Sequence, residues 1–75
     1  MFEINKTFQG YEIQLNKPNC KTLYLKSIYK GKPRYSMDYL YSKKYKTLKS
    51  ATKVVKVLET YERSNYNGKS KNELN

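Results

Sequence analysis

The hydropathy of this 75-residue chain changes period once, at Thr47, and that change limits what the chain can build. Before it, three segments alternate apolar and polar residues with period two, the mark of half-buried strands. In the first, Tyr11, Ile13 and Leu15 share a face opposite Glu12 and Gln14. In the second, Leu23, Leu25, Ser27 and Tyr29 oppose Tyr24, Lys26, Ile28 and Lys30. In the third, Tyr35, Met37, Tyr39 and Tyr41 oppose Arg34, Ser36, Asp38, Leu40 and Ser42. Turn chemistry separates them: Asn16-Lys17-Pro18-Asn19 is a turn cluster, and Lys30-Gly31-Lys32-Pro33 offers Gly31 for the positive φ of a tight hairpin. Two hairpins sharing the middle strand, an antiparallel meander, follow from this pattern. Phe2 and Ile4 also alternate and leave open a short edge strand at the start.

After Thr47 the spacing is helical. Steps of about 100° put Leu48, Ala51, Val54, Val55, Val57, Leu58 and Tyr61 on one half of the wheel. Lys49, Lys53, Lys56 and Thr60 cluster on the other half. Thr47 is placed to cap the helix, its hydroxyl accepting from a first-turn amide. The valines are poor helix formers, so packing must hold the helix in place. The pattern fades near Ser64-Asn65, and 65–75 reads as a disordered tail after a single domain over 1–64. One apolar helix face and one apolar sheet face need each other. The expected fold is α+β: a three-stranded antiparallel meander packed on one face by a single C-terminal amphipathic helix. The helix is expected to cover Ile13, Leu15, Leu23, Leu25, Met37 and Tyr39, leaving the opposite sheet face open.

Charge enters at this point. The chain holds sixteen Lys and Arg against six Asp and Glu, a net of +10. Residues 17–56 carry twelve of the cations and one anion, Asp38, while both ends are near neutral. The excess therefore lies on the folded elements rather than on a tail. Ten of the twelve fall into two sets. Lys26, Lys30, Lys32 and Arg34 lie on or beside the open sheet face, with Tyr24 as the one aromatic that strict alternation puts there. Lys43, Lys44, Lys46, Lys49, Lys53 and Lys56 form a ridge at and beyond the helix start. Cations supply phosphate contacts and release counterions, and tyrosine rings can stack on bases. The competing explanation is ordinary: tyrosines favour strands, and charged residues solvate helix faces. Lys outnumbers Arg fourteen to two, which favours phosphate contact over the bidentate base reading of arginine.

Other chemistry is poorly served. With no His and one Cys, an ordinary zinc or copper site cannot be assembled, and no cofactor motif occurs. Asp38, Glu59 and Glu62 make no convincing catalytic pair, so a non-enzyme is expected. No apolar run is long enough to span a membrane, and no secretory leader is visible, so the expected location is the cytoplasm. Cys20 cannot form an internal disulfide. A free sheet edge offers a route to a homodimer.

The order of three strands, then an aromatic (Tyr45), a threonine (Thr47) and an amphipathic helix with Ala51 and Val55, resembles two groups over roughly residues 8–62. These are the AP2-type DNA-binding domain and the amino-terminal arm-binding domain of mobile-element integrases. The resemblance implies that the exposed sheet face enters the major groove, with Lys26, Lys30 and Arg34 on the backbone and Tyr24 and Gln14 at base edges or sugars. The chain lacks Trp and the arginine-rich strands typical of AP2-type domains. The expectation is a small basic nucleic-acid-binding protein of phage or mobile-element origin. The alternative is a phage-encoded inhibitor of a host defence nuclease, of the anti-CRISPR or anti-restriction type, docking on an acidic protein surface or a nucleoprotein complex.

Overall fold

The computed structural model describes the backbone of residues 1–74 and the side chains of residues 1–63. An antiparallel sheet of four strands, β1 (Phe2–Thr7), β2 (Gly10–Leu15), β3 (Leu23–Tyr29) and β4 (Lys32–Ser36), runs in spatial order β1-β2-β3-β4. A single 3₁₀ turn, Tyr39–Tyr41, follows, and then the helix α1 (Leu48–Leu74). The α+β class is as expected, but the sheet has a fourth strand. Phe2 and Ile4 pair with Leu15 and Ile13, so the amino-terminal alternation is a full strand along β2. The expected tail, 65–75, lies outside the residues whose side chains are described.

The β3–β4 connection obeys the turn chemistry. Lys30 (φ 51°) and Gly31 (φ 76°) both take positive φ between the paired Tyr29 and Lys32, the type I′ geometry that matches strand twist. Pro33 is tolerated because β4 is an edge strand with an unused N–H side. The helix start also follows expectation: the Ser50 amide donates to Thr47 Oγ1 at 3.1 Å.

The third expected strand is broken in two. β4 ends at Ser36 because side chains capture the backbone there. The Asp38 amide donates to Ser36 Oγ at 3.0 Å, and Asp38 Oδ1 accepts from the Leu40 amide at 2.9 Å. Such local bonds compete with a strand ladder. The chain turns, crosses β3 and re-enters the sheet. β2 and β3 are paired only at Gln14–Tyr24 and Leu15–Leu23, and beyond that they diverge. Residues 43–45 fill the fork: the Lys43 amide donates to the Leu25 carbonyl, and Tyr45 and Tyr11 exchange both backbone bonds, each at 2.8 Å. Gly10 permits this insertion. Its φ is +137°, and a Cβ there would stand 2.6 Å from the Tyr45 carbonyl oxygen.

Under α1 the core is Ile13, Leu25, Ala51 and Leu58, enclosed by Phe2, Ile4, Tyr11, Tyr35, Tyr45, Val54 and Val55. Burying each of Ile13, Leu25 and Leu58 contributes about 1.5–3 kcal/mol. The helix lies over β1 and β2. Its buried stripe is narrower than expected, since Leu48 and Val57 are exposed. Met37, Tyr39 and Tyr41, expected beneath the helix, are exposed on the crossing segment.

Candidate nucleic-acid interface

The sheet face away from α1 is shaped by one irregularity. A bulge between Leu25 and Ser27 shifts the β3–β4 register, and a one-residue slip sends every later side chain to the other face. Leu25 pairs with Tyr35 on the helix side, but Ser27 then pairs with Arg34 and Tyr29 with Lys32 on the far side. Tyr29 therefore leaves the core side that strict alternation assigned it and joins the open face, 54% exposed. Ile28 moves the other way, opposite Pro33. Tyr24 stays on the open face, between Gln14 and Ser36, but is half-buried.

Cations on this face stand over aromatic rings. The Arg34 guanidinium lies 5.0 Å from the Tyr29 ring centre, and Lys30 Nζ lies 5.4 Å from it. Lys26, exposed at the bulge, places Nζ 5.6 Å from the Tyr41 ring. Distances below about 6 Å allow a cation–π attraction of about 0.5–1 kcal/mol at exposed sites. Tyr41 comes from the crossing segment, where Tyr39 (61%) and Leu40 (72%) are also exposed. The alternation of 35–41 concealed these rings; Ser36 and Asp38 two residues apart, both able to hold a turn, are the signal that would have found them.

What anchors the crossing is Glu12. It was expected in solvent on the open face, yet only 4% of it is exposed. Ser42 Oγ donates to Oε1 at 3.0 Å, Gln14 Nε2 and Asn5 Nδ2 donate to Oε2 at 3.0 and 3.2 Å, and Lys44 Nζ stands 3.6 Å from Oε1. Lys44 also donates to the Ser42 hydroxyl and, at 3.4 Å, to the Ser42 carbonyl. Burial pushes the Glu12 carboxyl up, but the bonds from Gln14, Asn5 and Ser42 and the Lys44 charge together outweigh it. The net shift is downward, so Glu12 is held ionised. Lys44 is thus engaged inside the fold and leaves the set expected to meet phosphate.

The other expected residues are placed as follows. Lys32 and Arg34 are exposed on β4, and Lys30 is exposed at the turn. Lys43 is exposed with Nζ 5.6 Å from the Tyr45 ring, and Lys46 is exposed before the helix. Lys49, Lys53 and Lys56 are exposed on the side of α1 opposite Ala51 and Leu58, and so point away from the sheet. Lys49 and Lys53 therefore face away from the open sheet face, and the ridge is not one continuous surface with it. Lys56 borders an open groove of about 390 Å³ with Gly31, Val57, Thr60 and Tyr61, where helix and β3–β4 turn approach.

Among the described residues the only ion pair is Lys44–Glu12. Those residues include no group of three or more His, Cys, Asp or Glu able to hold a metal, and no helix among them is long and apolar enough to cross a membrane. Comparison with protein-family models, curated proteins and solved structures finds no match.

Proposed function

We propose that this protein binds nucleic acid without catalysing a reaction, holding the phosphate backbone against the sheet face that carries Lys26, Lys30, Lys32 and Arg34. One observation carries the reading: these four exposed cations have no carboxylate partner among the described residues, and three of them stand over tyrosine rings. Unpaired cations concentrated on one face repel one another, and an anionic polymer relieves that repulsion. The Lys49, Lys53 and Lys56 ridge is a second, weaker contact, reached only by another segment of the polymer or by wrapping. The resemblance of the strand-then-helix order to AP2-type and integrase arm-binding domains adds support for a sheet-face contact. A phage or mobile-element setting in a cell's cytoplasm accords with the size and composition.

A salt titration tests the proposal. Each phosphate neutralised on B-DNA contributes about −0.9 to the slope of log K against log[salt]. Four cations on the sheet face give an expected slope near −3.6 by that relation. A slope close to zero, or affinity at moderate salt no better than that of polylysine of equal charge, sinks it.

The exposed Met37 and Leu40 favour a second reading, an inhibitor that docks on a protein of a nuclease complex. Pull-down with the intact chain, before and after nuclease treatment, separates the two. A defined nuclease subunit retained after treatment supports the inhibitor, and its loss supports nucleic acid.

A further inference from the structure

Resting on the nucleic-acid reading, we propose that the ligand of the open face is single-stranded, with unpaired bases stacking on Tyr29 and Tyr41. Backbone recognition alone needs cations but no aromatic surface. Here the two come as units: Tyr29 with Arg34 and Lys30, and Tyr41 with Lys26. Tyr29 and Tyr41 are 54% and 60% exposed, and neither belongs to the hydrophobic core. They reach the face by different means, Tyr29 through the register shift and Tyr41 through the crossing segment. Nothing in the packing of the core requires either ring to be aromatic.

Each unit matches one nucleotide. The ring offers a face to the base, and the neighbouring cation, on a flexible stem, can move to the phosphate that accompanies it. Tyr29 lies three residues from Lys26 along β3, about 10 Å at 3.3 Å per residue, so the units are spaced along one strand direction. In a duplex the base faces are already stacked within the helix and closed to the rings. An unpaired strand presents them, and sequence matters little because every base has a π-face.

The test uses the full chain and three fluorescent probes of about 12 nucleotides, a length within the range one small sheet-based domain covers. They are an oligo-deoxythymidine, an oligo-uridine and a mixed-sequence DNA duplex. Expected is tighter binding to both single strands than to the duplex by about tenfold or more at equal salt. Tyr29→Ala and Tyr41→Ala should each weaken single-strand binding by about 5- to 100-fold, with little effect on the duplex. Tyr29→Phe, which keeps the π-face, should retain binding, and Phe8→Ala, an exposed aromatic in the β1–β2 turn, should change nothing. Circular dichroism of each variant confirms the fold. Duplex binding as tight as single-strand binding, or alanine variants that bind like the parent, overturns the stacking inference while leaving backbone binding in place. Failure of all three probes to bind at low salt overturns both.

Discussion

Replacing Glu12 by glutamine keeps the shape of a buried side chain and removes its charge, which makes it a direct probe of how the crossing segment is held. The carboxylate accepts from Asn5, Gln14 and Ser42 and faces Lys44. Asn5 is exposed and Gln14 half-exposed, so water can replace their bonds. Ser42 is buried, and a buried donor left without its acceptor costs about 1–3 kcal/mol. The Lys44 side chain is 20% exposed. It can turn partly outward, so its share falls below the 3–5 kcal/mol typical of breaking a fully buried pair, at about 1–2 kcal/mol. Glu12→Ala should therefore lose about 2–5 kcal/mol, and Glu12→Gln, which retains one acceptor oxygen, about 1–3 kcal/mol. At about 0.05–0.15 kcal/mol per residue the whole chain has only about 4–11 kcal/mol to lose. Urea unfolding followed by circular dichroism between about pH 7 and pH 3 reads both the size and the cause. Because the folded carboxyl titrates below its ordinary value, its contribution is complete above about pH 4.5, the unfolded value. It is lost as pH falls through the folded one. The gap between parent and Glu12→Gln should be full at neutral pH and close in acid, other carboxylates cancelling in the difference. A gap below about 0.5 kcal/mol at neutral pH, or one that stays constant into acid, refutes the ionised anchor.

Gly10→Ala should cost about 1–3 kcal/mol or more in thermal unfolding, since it combines a positive φ with a Cβ 2.6 Å from the Tyr45 carbonyl. The loss should be accompanied by faster hydrogen exchange at the Tyr11 and Tyr45 amides. The Tyr35 hydroxyl is buried without a partner, so Tyr35→Phe should leave neutral-pH stability unchanged or raise it by up to about 1 kcal/mol. Burial, then the nearby Glu62 carboxylate and Tyr61, push the Tyr35 phenol up to about 12. Its neutral form therefore favours folding below about pH 10, and that contribution is lost as pH rises toward 12; Tyr35→Phe should flatten this alkaline loss in unfolding experiments. Lys26→Glu with Lys30→Glu should weaken nucleic-acid binding more than Lys49→Glu with Lys53→Glu, measured by anisotropy at one salt concentration. The reverse order would move the principal contact to the helix.

Features governed by neighbours in the chain were legible in the sequence. The alternation of Tyr11 to Leu15, the Lys30-Gly31 turn and the Thr47 cap each depend on a few adjacent residues, and each is found in place. Two events upset the reading from Lys26 onward. The bulge has no strong local signature, yet it inverts Ile28 and Tyr29, because period-two patterning carries no memory of a skipped residue. Asp38 and Ser36 capture backbone amides, which ends a strand whose apolar alternation ran on to Tyr41. The Glu12 site was illegible for a different reason. Its partner Ser42 lies 30 residues away, and only the diverging of β2 and β3 brings them together. A carboxylate alternating with Tyr11 and Ile13 carries every mark of a solvated strand residue.

The placement of the basic residues also changes what net charge means for this chain. Taken along the sequence, residues 17–56 form one block of excess cations, and such a block implies a single electrostatic site. Folded, it is divided between the open sheet face, with Lys26, Lys32 and Arg34, and the outer side of the helix, with Lys49 and Lys53. At physiological ionic strength the screening length is about 8 Å, so exposed charges farther apart than that scarcely feel each other. The sheet-face cations and Lys49 and Lys53 point in opposite directions, so a short ligand on one face does not engage the other. Charge changes on the two sides should therefore add in log K, each altering the salt slope by its own count of phosphates. A short oligonucleotide should report the sheet face alone, and the ridge should register only when the polymer is long enough to pass around the domain or to bridge two copies of it.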